Sequence, residues 1–131
     1  MVENYDLFFH GRSDPGTGQI TIGLVLALHG KVLDTMGGEV DYKGSQERAQ
    51  WEALLQGMVF ASSHNVKRII MKGDSRSVIN YMNGEPPRRD FTEMEYLMMA
   101  RKKQLMFDQC FFQWVPDSTN AHAYNLSRAG S

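Results

Sequence analysis

The chain has 131 residues, a formal net charge of −1 and 42% hydrophobic residues. A chain of this length can bury a substantial core without disulfides or metal, so we expect a single domain over residues 1–131, with excision of that domain from a longer protein left open. The near-neutral charge argues against a strongly basic nucleic-acid-binding surface and leaves a local one open.

The cysteine content and the hydropathy of the chain indicate the type of cellular compartment to expect. Cys110 is the one cysteine, which excludes an internal disulfide, and its neighbours Phe111 and Phe112 favour a buried, inert thiol. No apolar run has the length of a membrane span, and the N-terminus, with Glu3 and Asp6, lacks the basic-then-apolar order of a signal peptide. We expect a soluble, intracellular protein with no membrane partner, the choice between cytoplasm and nucleus being left open.

Three strands are predicted at the start of the chain. Residues 4–10 carry enough bulky β-favouring side chains for a first strand, and the Gly-, Asp- and Pro-rich residues 11–18 predict a loop after it. Residues 19–28 and 31–42 predict a hairpin, in which Gly37 and Gly38 allow a bulge or bend.

A helix is predicted next, from a cap at Ser45 to about Ser63. One face of it is predicted to be apolar, because helical spacing aligns Trp51, Leu54, Leu55, Met58, Val59 and Ser62. The opposite face is polar.

The stretch from Arg68 to Gly84 organises the rest of the chain. An apolar run breaks at Gly73 and then changes to helical spacing, which predicts a strand, a tight turn and a helix with Val78, Ile79 and Met82 on one side. Asp74 is therefore predicted at the carboxyl end of a parallel strand, where ligands of open α/β sheets bind. The alternative is that Asp74 or Ser75 only caps the helix.

Two helices and a strand are predicted to complete the chain. Asp90 and Glu93 form a capping-box pattern for a helix to about Phe107. Its apolar stripe is predicted to consist of Phe91, Met94, Leu97, Met98 and Leu105. Residues 109–115 predict a fifth strand, and Ser118 or Thr119 predicts the start of a last helix through Leu126.

The predicted order is βββαβααβα. Three meandering strands followed by α/β crossovers predict an α/β fold with a five-stranded mixed sheet, three strands antiparallel and the rest parallel, flanked by helices.

Four local motifs, in order along the chain, carry a family resemblance. They are His10–Gly11 with Asp14–Pro15–Gly16, the helix start at residues 45–54, Gly73 to Val78 with Asn83–Gly84, and Trp114–Val115–Pro116 with residues 120–126. Together they resemble the ribonuclease H family over nearly the whole chain, and specifically its compact archaeal and plant-type branch, since no basic helical protrusion fits between Gly84 and Asp90.

The resemblance implies a particular site. Family members hold two magnesium ions with carboxylates from strand one, helix one, the end of strand four and the last helix. The matching positions here are His10, Gln50, Asp74 and Tyr124, so only Asp74 is acidic. Each lost charge at metal contact distance is worth several kcal/mol even at an effective dielectric constant of about 20. We therefore expect no magnesium pair, no other cofactor and no cleavage by the family mechanism.

The resemblance also implies contacts to nucleic acid. The matching positions, together with nearby arginines, are Arg12, Ser13, Asp14, Ser45, Gln46, Glu47 and Arg76. Residues 88–89 and 101–103 are basic clusters that could contact phosphate, although acidic neighbours favour an ordinary solvated helix face. A transition-metal site formed by His10, Asp74 and His122 is an alternative to a hydrogen-bonded structural pair.

A protein partner is the third alternative. The chain has nine methionines, four of them at positions 94, 98, 99 and 106, and apolar residues occupy nearly every side of that helix. Most of these residues are expected to fill the core, and the apolar residues in excess of one buried stripe favour a partner-binding or self-association surface. We predict a catalytically inactive ribonuclease H-like domain that binds a protein partner or structured nucleic acid, such as RNA or an RNA/DNA hybrid; the alternative is a divergent ribonuclease H that cleaves RNA in hybrids with divalent metal.

Overall fold

The computed structural model describes residues 3–86 and 91–129 and confirms the predicted order of elements. The elements are β1 (Asn4–Ser13), β2 (Gln19–Leu28), β3 (Lys31–Lys43), α1 (Gln46–Ser63), β4 (Arg68–Gly73), α2 (Arg76–Met82), α3 (Phe91–Gln104), β5 (Gln109–Trp114) and α4 (Ala121–Ala129).

The strands form one five-stranded sheet in the order β3-β2-β1-β4-β5. β1 and β3 each pair antiparallel with β2, whereas β4 pairs parallel with both β1 and β5. This is the predicted mixed sheet. The β2–β3 hairpin turns at His29 and Gly30, with φ of 52° and 79°, which suits the right-handed twist of the flanking strands.

The core lies between the sheet and α1. Ser45 caps α1 as predicted, because its side-chain oxygen accepts a hydrogen bond from the Arg48 amide at 3.1 Å. The Trp51 ring stacks between Tyr81 and Tyr96, with ring centroids 6.3 and 5.8 Å apart. Burial extends around most of α1, since it packs against α3 as well as the sheet, but Val59 is exposed and its predicted place in the buried face is wrong.

Two glycines let helices approach the sheet closely. A Cβ atom on Gly11 would lie 1.8 Å from the carbonyl oxygen of Ala49 in α1, and one on Gly23 would lie 2.0 Å from that of Ala123 in α4. Any larger residue would collide with backbone at either position, so these glycines set the distance of α1 and α4 from opposite faces of the sheet.

The structure differs from local expectations in β1, β3 and α4. β1 continues through Ser13, because the ladder with β2 extends to the pair Ser13 and Ile20 and overrides the turn-forming composition. β3 runs without a break through Gly37 and Gly38. α4 begins at Ala121, because residues 119 and 120 form turns in which their amides donate to the Pro116 carbonyl.

The predicted orientation of α3 is wrong. Its buried residues are Glu93, Tyr96 and Ala100, whereas most of the predicted apolar stripe faces outward. The physical reason is the contact with α1: the Tyr96 ring stacks on Trp51 and its hydroxyl donates to Glu52 Oε1 at 2.6 Å, which fixes the side of α3 that is buried. The predicted cap Asp90 and the pair at residues 88–89 lie outside the described residues.

Two further expectations concern Cys110 and membranes. Cys110 is buried, which confirms that part of the prediction, and burial raises the pKa of its thiol to about 12, which disfavours the reactive thiolate. In the part of the chain that the structure describes, no helix is long and apolar enough to cross a membrane.

Candidate functional site

The four positions matched to the family's carboxylates converge at one end of the sheet. Phe9 in β1 pairs with Gly73 in β4, so the residues that follow them, His10 and Asp74, lie side by side. Gln50 reaches this point from α1, and Tyr124 from the first turn of α4.

Asp74 is hydrogen-bonded through both of its oxygens. His10 Nδ1 lies 2.9 Å from Oδ2 and 3.1 Å from Oδ1, and because an ionised carboxylate only accepts, Nδ1 is the donor. Gln50 Nε2 donates to Oδ1 at 3.1 Å, and Asn120 Nδ2 donates to Oδ2 at 2.8 Å. The carboxylate is therefore enclosed by donors from β1, from α1 and from the turn that precedes α4.

The amide of Gln50 has a defined orientation. Its Oε1 accepts a hydrogen bond from the Gly11 amide at 3.1 Å, so its nitrogen is the atom that faces Asp74. The one oxygen of Gln50 that could bind a cation is thus turned toward the backbone of β1.

Asn120 is the site residue that the sequence analysis missed. It is fully buried, and its Nδ2 donates to the Phe9 carbonyl at 2.9 Å as well as to Asp74. Its Oδ1 is buried without a hydrogen-bond partner among the described residues. The available signal was an asparagine in the first turn of the predicted last helix, and that position alone gives no reason to assign it to the site.

The pKa of Asp74 is lowered. Burial of the carboxyl group acts in the opposite direction, but hydrogen bonds from His10 and Asn120, the charge of His10 and the hydrogen bond from Gln50 outweigh it. Asp74 is therefore ionised at neutral pH, and its charge is stabilised by these hydrogen-bond donors.

Tyr124 lies at the open side of the site. Its ring centroid is 5.0 Å from that of His10, and the Arg128 guanidinium lies 5.7 Å from the Tyr124 centroid. The Tyr124 side chain is partly exposed and brings an aromatic surface to a position where the family has a carboxylate.

These residues do not fit a pair of magnesium ions. Hard divalent cations require several oxygen ligands, mostly anionic, whereas here one carboxylate already accepts hydrogen bonds at both oxygens. Across residues 3–86 and 91–129, no group of three or more His, Cys, Asp or Glu side chains could hold a metal ion. His122 is not brought to Asp74: it is exposed and lines a separate small cavity with Asp6 and Phe8.

Two of the predicted nucleic-acid contacts join β1 to α1. Gln46 Oε1 accepts from the Ser13 amide at 2.9 Å, and Gln46 Nε2 donates to the Gly11 carbonyl at 2.7 Å. The Ser13 hydroxyl donates to the Gly44 carbonyl. These side chains lie beside the Asp74 site, and their polar atoms make hydrogen bonds within the chain that stabilise the fold.

Asp14 and Ser45 also have structural partners. Asp14 Oδ1 accepts from the amides of Gly16 and Thr17 at 2.8 and 3.0 Å, and these backbone hydrogen bonds lower the pKa of Asp14. Ser45 is the cap of α1. Arg12 is partly buried and lines a cavity with Asp14 and Lys43.

Arg76 is stacked on an aromatic ring beside the Asp74 site. Its guanidinium carbon lies 3.7 Å from the ring centroid of Trp114, and Trp114 Nε1 donates to the Asp74 carbonyl at 3.1 Å. Arg76 is exposed, so this stacking holds a positive charge at the surface close to Asp74.

The sheet order, the flanking helices and the convergence of four elements on Asp74 define a ribonuclease H-like domain. The crystal structure of RNase H1 from the halophilic archaeon Halobacterium salinarum NRC-1 aligns with a TM-score of 0.90 at 23% identity, covering 95% of this chain and 95% of that one. LC11-RNase H1, solved in complex with an RNA/DNA hybrid, gives 0.87 at 17% identity, covering 96% of this chain and 95% of that one.

Sequence comparison gives the family. Residues 4–130 match the family described as reverse transcriptase-like, and the chain belongs to that family, which confirms the predicted ribonuclease H resemblance. Ribonuclease HI of Halobacterium salinarum is 25% identical over 120 residues, which cover 92% of this chain. The same alignment covers 60% of the relative, so this chain spans less than two thirds of its length.

Proposed function

We propose that this chain is a ribonuclease H-like domain that binds RNA/DNA hybrids and does not cleave them by the two-magnesium mechanism. The observation that carries the proposal is the environment of Asp74, whose two oxygens accept hydrogen bonds from His10, Gln50 and Asn120. A cation could reach this carboxylate only by displacing those donors.

The charge balance supports the same reading. A carboxylate next to a divalent cation gains several kcal/mol at an effective dielectric constant of about 20. Replacing the other three carboxylates by imidazole, amide and phenol removes that gain three times over, while the desolvation cost of two divalent ions is unchanged. No magnesium or other cofactor is part of the proposed function.

Nucleic-acid binding is supported by two features. The exposed Arg76 guanidinium is fixed against Trp114 beside the site, and arginine fixed in this way suits a phosphate. LC11-RNase H1, which has the same fold, was solved in complex with an RNA/DNA hybrid. We place the hybrid across the sheet end that carries Asp74, the start of α1 and Arg76.

Cleavage of the hybrid is the second candidate function. It is favoured by the name of the Halobacterium salinarum relative, Ribonuclease HI, at 25% identity. This function requires that divalent metal rearrange His10, Gln50 and Asn120 when it binds.

A hybrid incubated with the purified chain separates the two candidates. We expect gel retention of a labelled RNA/DNA hybrid that weakens with salt, with intact RNA in EDTA, Mg²⁺ or Mn²⁺. Metal-dependent cleavage that is absent in Asp74→Asn would establish the second candidate. Failure to retain the hybrid at low salt would refute binding.

Restoring the family's carboxylates tests the assignment of the site. We expect the triple variant His10→Asp, Gln50→Glu, Tyr124→Asp to gain magnesium-dependent cleavage. The matched control is the double variant His10→Asn, Tyr124→Asn, which keeps the wild-type Gln50, has amides of similar shape at all three positions and adds no charge. If circular dichroism shows that the acidic triple variant is unfolded without metal, the cleavage assay is repeated on the double variant His10→Asp, Gln50→Glu, which leaves α4 unchanged. A folded acidic variant that neither binds magnesium nor cleaves contradicts the assignment.

A further inference from the structure

α3 has its apolar stripe on the side away from the core. The exposed fraction is 84% for Phe91, 43% for Met94 and 64% for Met98, and it is 85% for Leu105, which lies just beyond the end of the helix. At about 100° per residue these four positions share one side of the helix, nearly opposite the buried Glu93, Tyr96 and Ala100. A continuous apolar stripe of this kind is uncommon on the surface of a monomer.

Charge is distributed unevenly along the same helix. Glu95 lies near its start, and the basic residues 101–103 lie in its last turn. Arg101 is turned toward its own chain, because it donates to Gln104 and to the Tyr81 carbonyl. Lys102 is exposed and lies on the same edge of the apolar stripe as Glu95, two turns further along.

This pattern is self-complementary in one arrangement only. When two copies of α3 pack antiparallel about a twofold axis at Met98, Phe91 of one copy lies level with Leu105 of the other. In the same register Glu95 lies about 1.5 Å along the helix axis from the level of Lys102 of the second copy, on the same edge of the contact. A parallel twofold arrangement would instead place Glu95 and Lys102 of the second copy on opposite edges of the contact and about 10 Å apart along the helix axes, so they could not pair.

We propose that α3 is an interface between two copies of this chain, packed antiparallel and centred on Met98. The contact is isologous, so each apolar side chain and each charge is used twice. Methionine suits such a seam, because its flexible side chain adapts to an irregular partner surface. The proposal is independent of nucleic-acid binding and applies to the chain without any ligand.

Solution mass is the first test. Sedimentation equilibrium over a range of concentrations is expected to show a dimer for the wild type and a monomer for Met98→Lys. Met36→Lys is the matched control, because Met36 is 44% exposed on β3, away from the seam, and its variant is expected to stay dimeric. A wild type that remains monomeric at every concentration, or a dimer that Met98→Lys does not weaken, overturns the proposal.

Charge reversal tests the antiparallel register. Glu95→Lys and Lys102→Glu are each expected to weaken the dimer several-fold, because each places like charges level across the seam. The double variant is expected to recover the wild-type dissociation constant, since it exchanges both charges. Equal and additive losses in the double variant would exclude this pairing.

Disulfide trapping tests the centre of the contact. Met98→Cys is expected to cross-link to itself under mild oxidation, whereas Leu105→Cys is not, because its two copies are about 21 Å apart along the helix axes at 1.5 Å per residue. A disulfide needs Cα atoms within about 7 Å. Cys110 stays in place, because it is buried and the wild type serves as the uncross-linked control. Cross-linking of Leu105→Cys without Met98→Cys overturns the proposed register.

Discussion

His10 Nδ1 lies 2.9 Å from one oxygen of Asp74 and 3.1 Å from the other. One imidazole therefore faces both oxygens of the single acidic side chain at the site. Both side chains are largely buried, so the pair is protected from solvent. This contact, with the amides of Gln50 and Asn120, supplies hydrogen-bond donors to both oxygens of the Asp74 carboxylate.

The pH dependence of stability is expected to contain a contribution from Asp74. Its pKa is lowered in the folded protein, so its stabilising contribution is fully present above the unfolded value of about 3.9 and is lost as the pH falls through the lower folded value. Asp74→Asn should cost about 1–3 kcal/mol at pH 7, and the difference from wild type should shrink below about pH 4. Urea titrations across this range measure it, with the exposed Asp117→Asn as control. Parallel curves for Asp74→Asn and wild type would contradict the expectation.

Tyr124→Asp is expected to destabilise the chain in the absence of metal. The new carboxylate would lie near Asp74 and also remove the ring that packs beside His10. Because the position is partly exposed, we expect a loss of about 1 kcal/mol. Tyr124→Asn removes the ring without adding a charge. The amount by which the urea midpoint of Tyr124→Asp lies below that of Tyr124→Asn therefore measures the effect of the charge. A urea midpoint of Tyr124→Asp that equals or exceeds that of wild type would mean that tyrosine at this position does not stabilise the chain relative to aspartate.

Gly11→Ala is expected to disrupt the contact between β1 and α1. The added methyl group would lie 1.8 Å from the Ala49 carbonyl oxygen, and backbone must shift to admit it. We expect a loss of about 3 kcal/mol or more, measured by denaturant unfolding. Gly38→Ala is the matched control, because a Cβ atom there meets no described atom within 4 Å, and it should change stability by less than about 1 kcal/mol. Similar effects of the two variants would contradict the close approach of α1.

Arg76→Gln is expected to weaken binding of an RNA/DNA hybrid. Loss of one phosphate contact should lower the slope of log affinity against log salt by about 1. Arg68→Gln is the control, because Arg68 lies at the other end of β4, where it donates to Gln109. Equal effects of the two arginines would indicate non-specific attraction in place of a contact beside Asp74.

Cys110 is expected to report global unfolding. Burial raises the pKa of its thiol to about 12, so the thiolate is scarce at pH 8 and the sulfur is inaccessible. Alkylation by iodoacetamide should therefore be slow in the native protein and fast in urea, with a midpoint that matches the circular dichroism transition. Fast labelling under native conditions would show that β5 opens locally.

The order of elements was readable from the sequence because it depends on local signals. Ser45 caps α1, Gly73 ends β4 and the alternation of elements predicts the sheet, all as the structure has them. The interpretation failed where a tertiary contact outweighed a local one. β1 extends past Gly11 because β2 offers it a pairing partner, and α3 turns its methionines outward because Tyr96 binds to Trp51 and Glu52.

The sequence by itself determined the order of the strands and helices, since these follow from patterns within a few residues, and the family resemblance then matched His10, Gln50, Asp74 and Tyr124 to one site. Only the tertiary structure decided that Asn120 donates to Asp74 and that the Gln50 oxygen turns toward Gly11. These contacts join residues that are 46 and 39 positions apart. The periodicity of a helix or strand fixes which residues share a side, whereas the direction in which that side points depends on the shape and hydrogen bonding of distant neighbours.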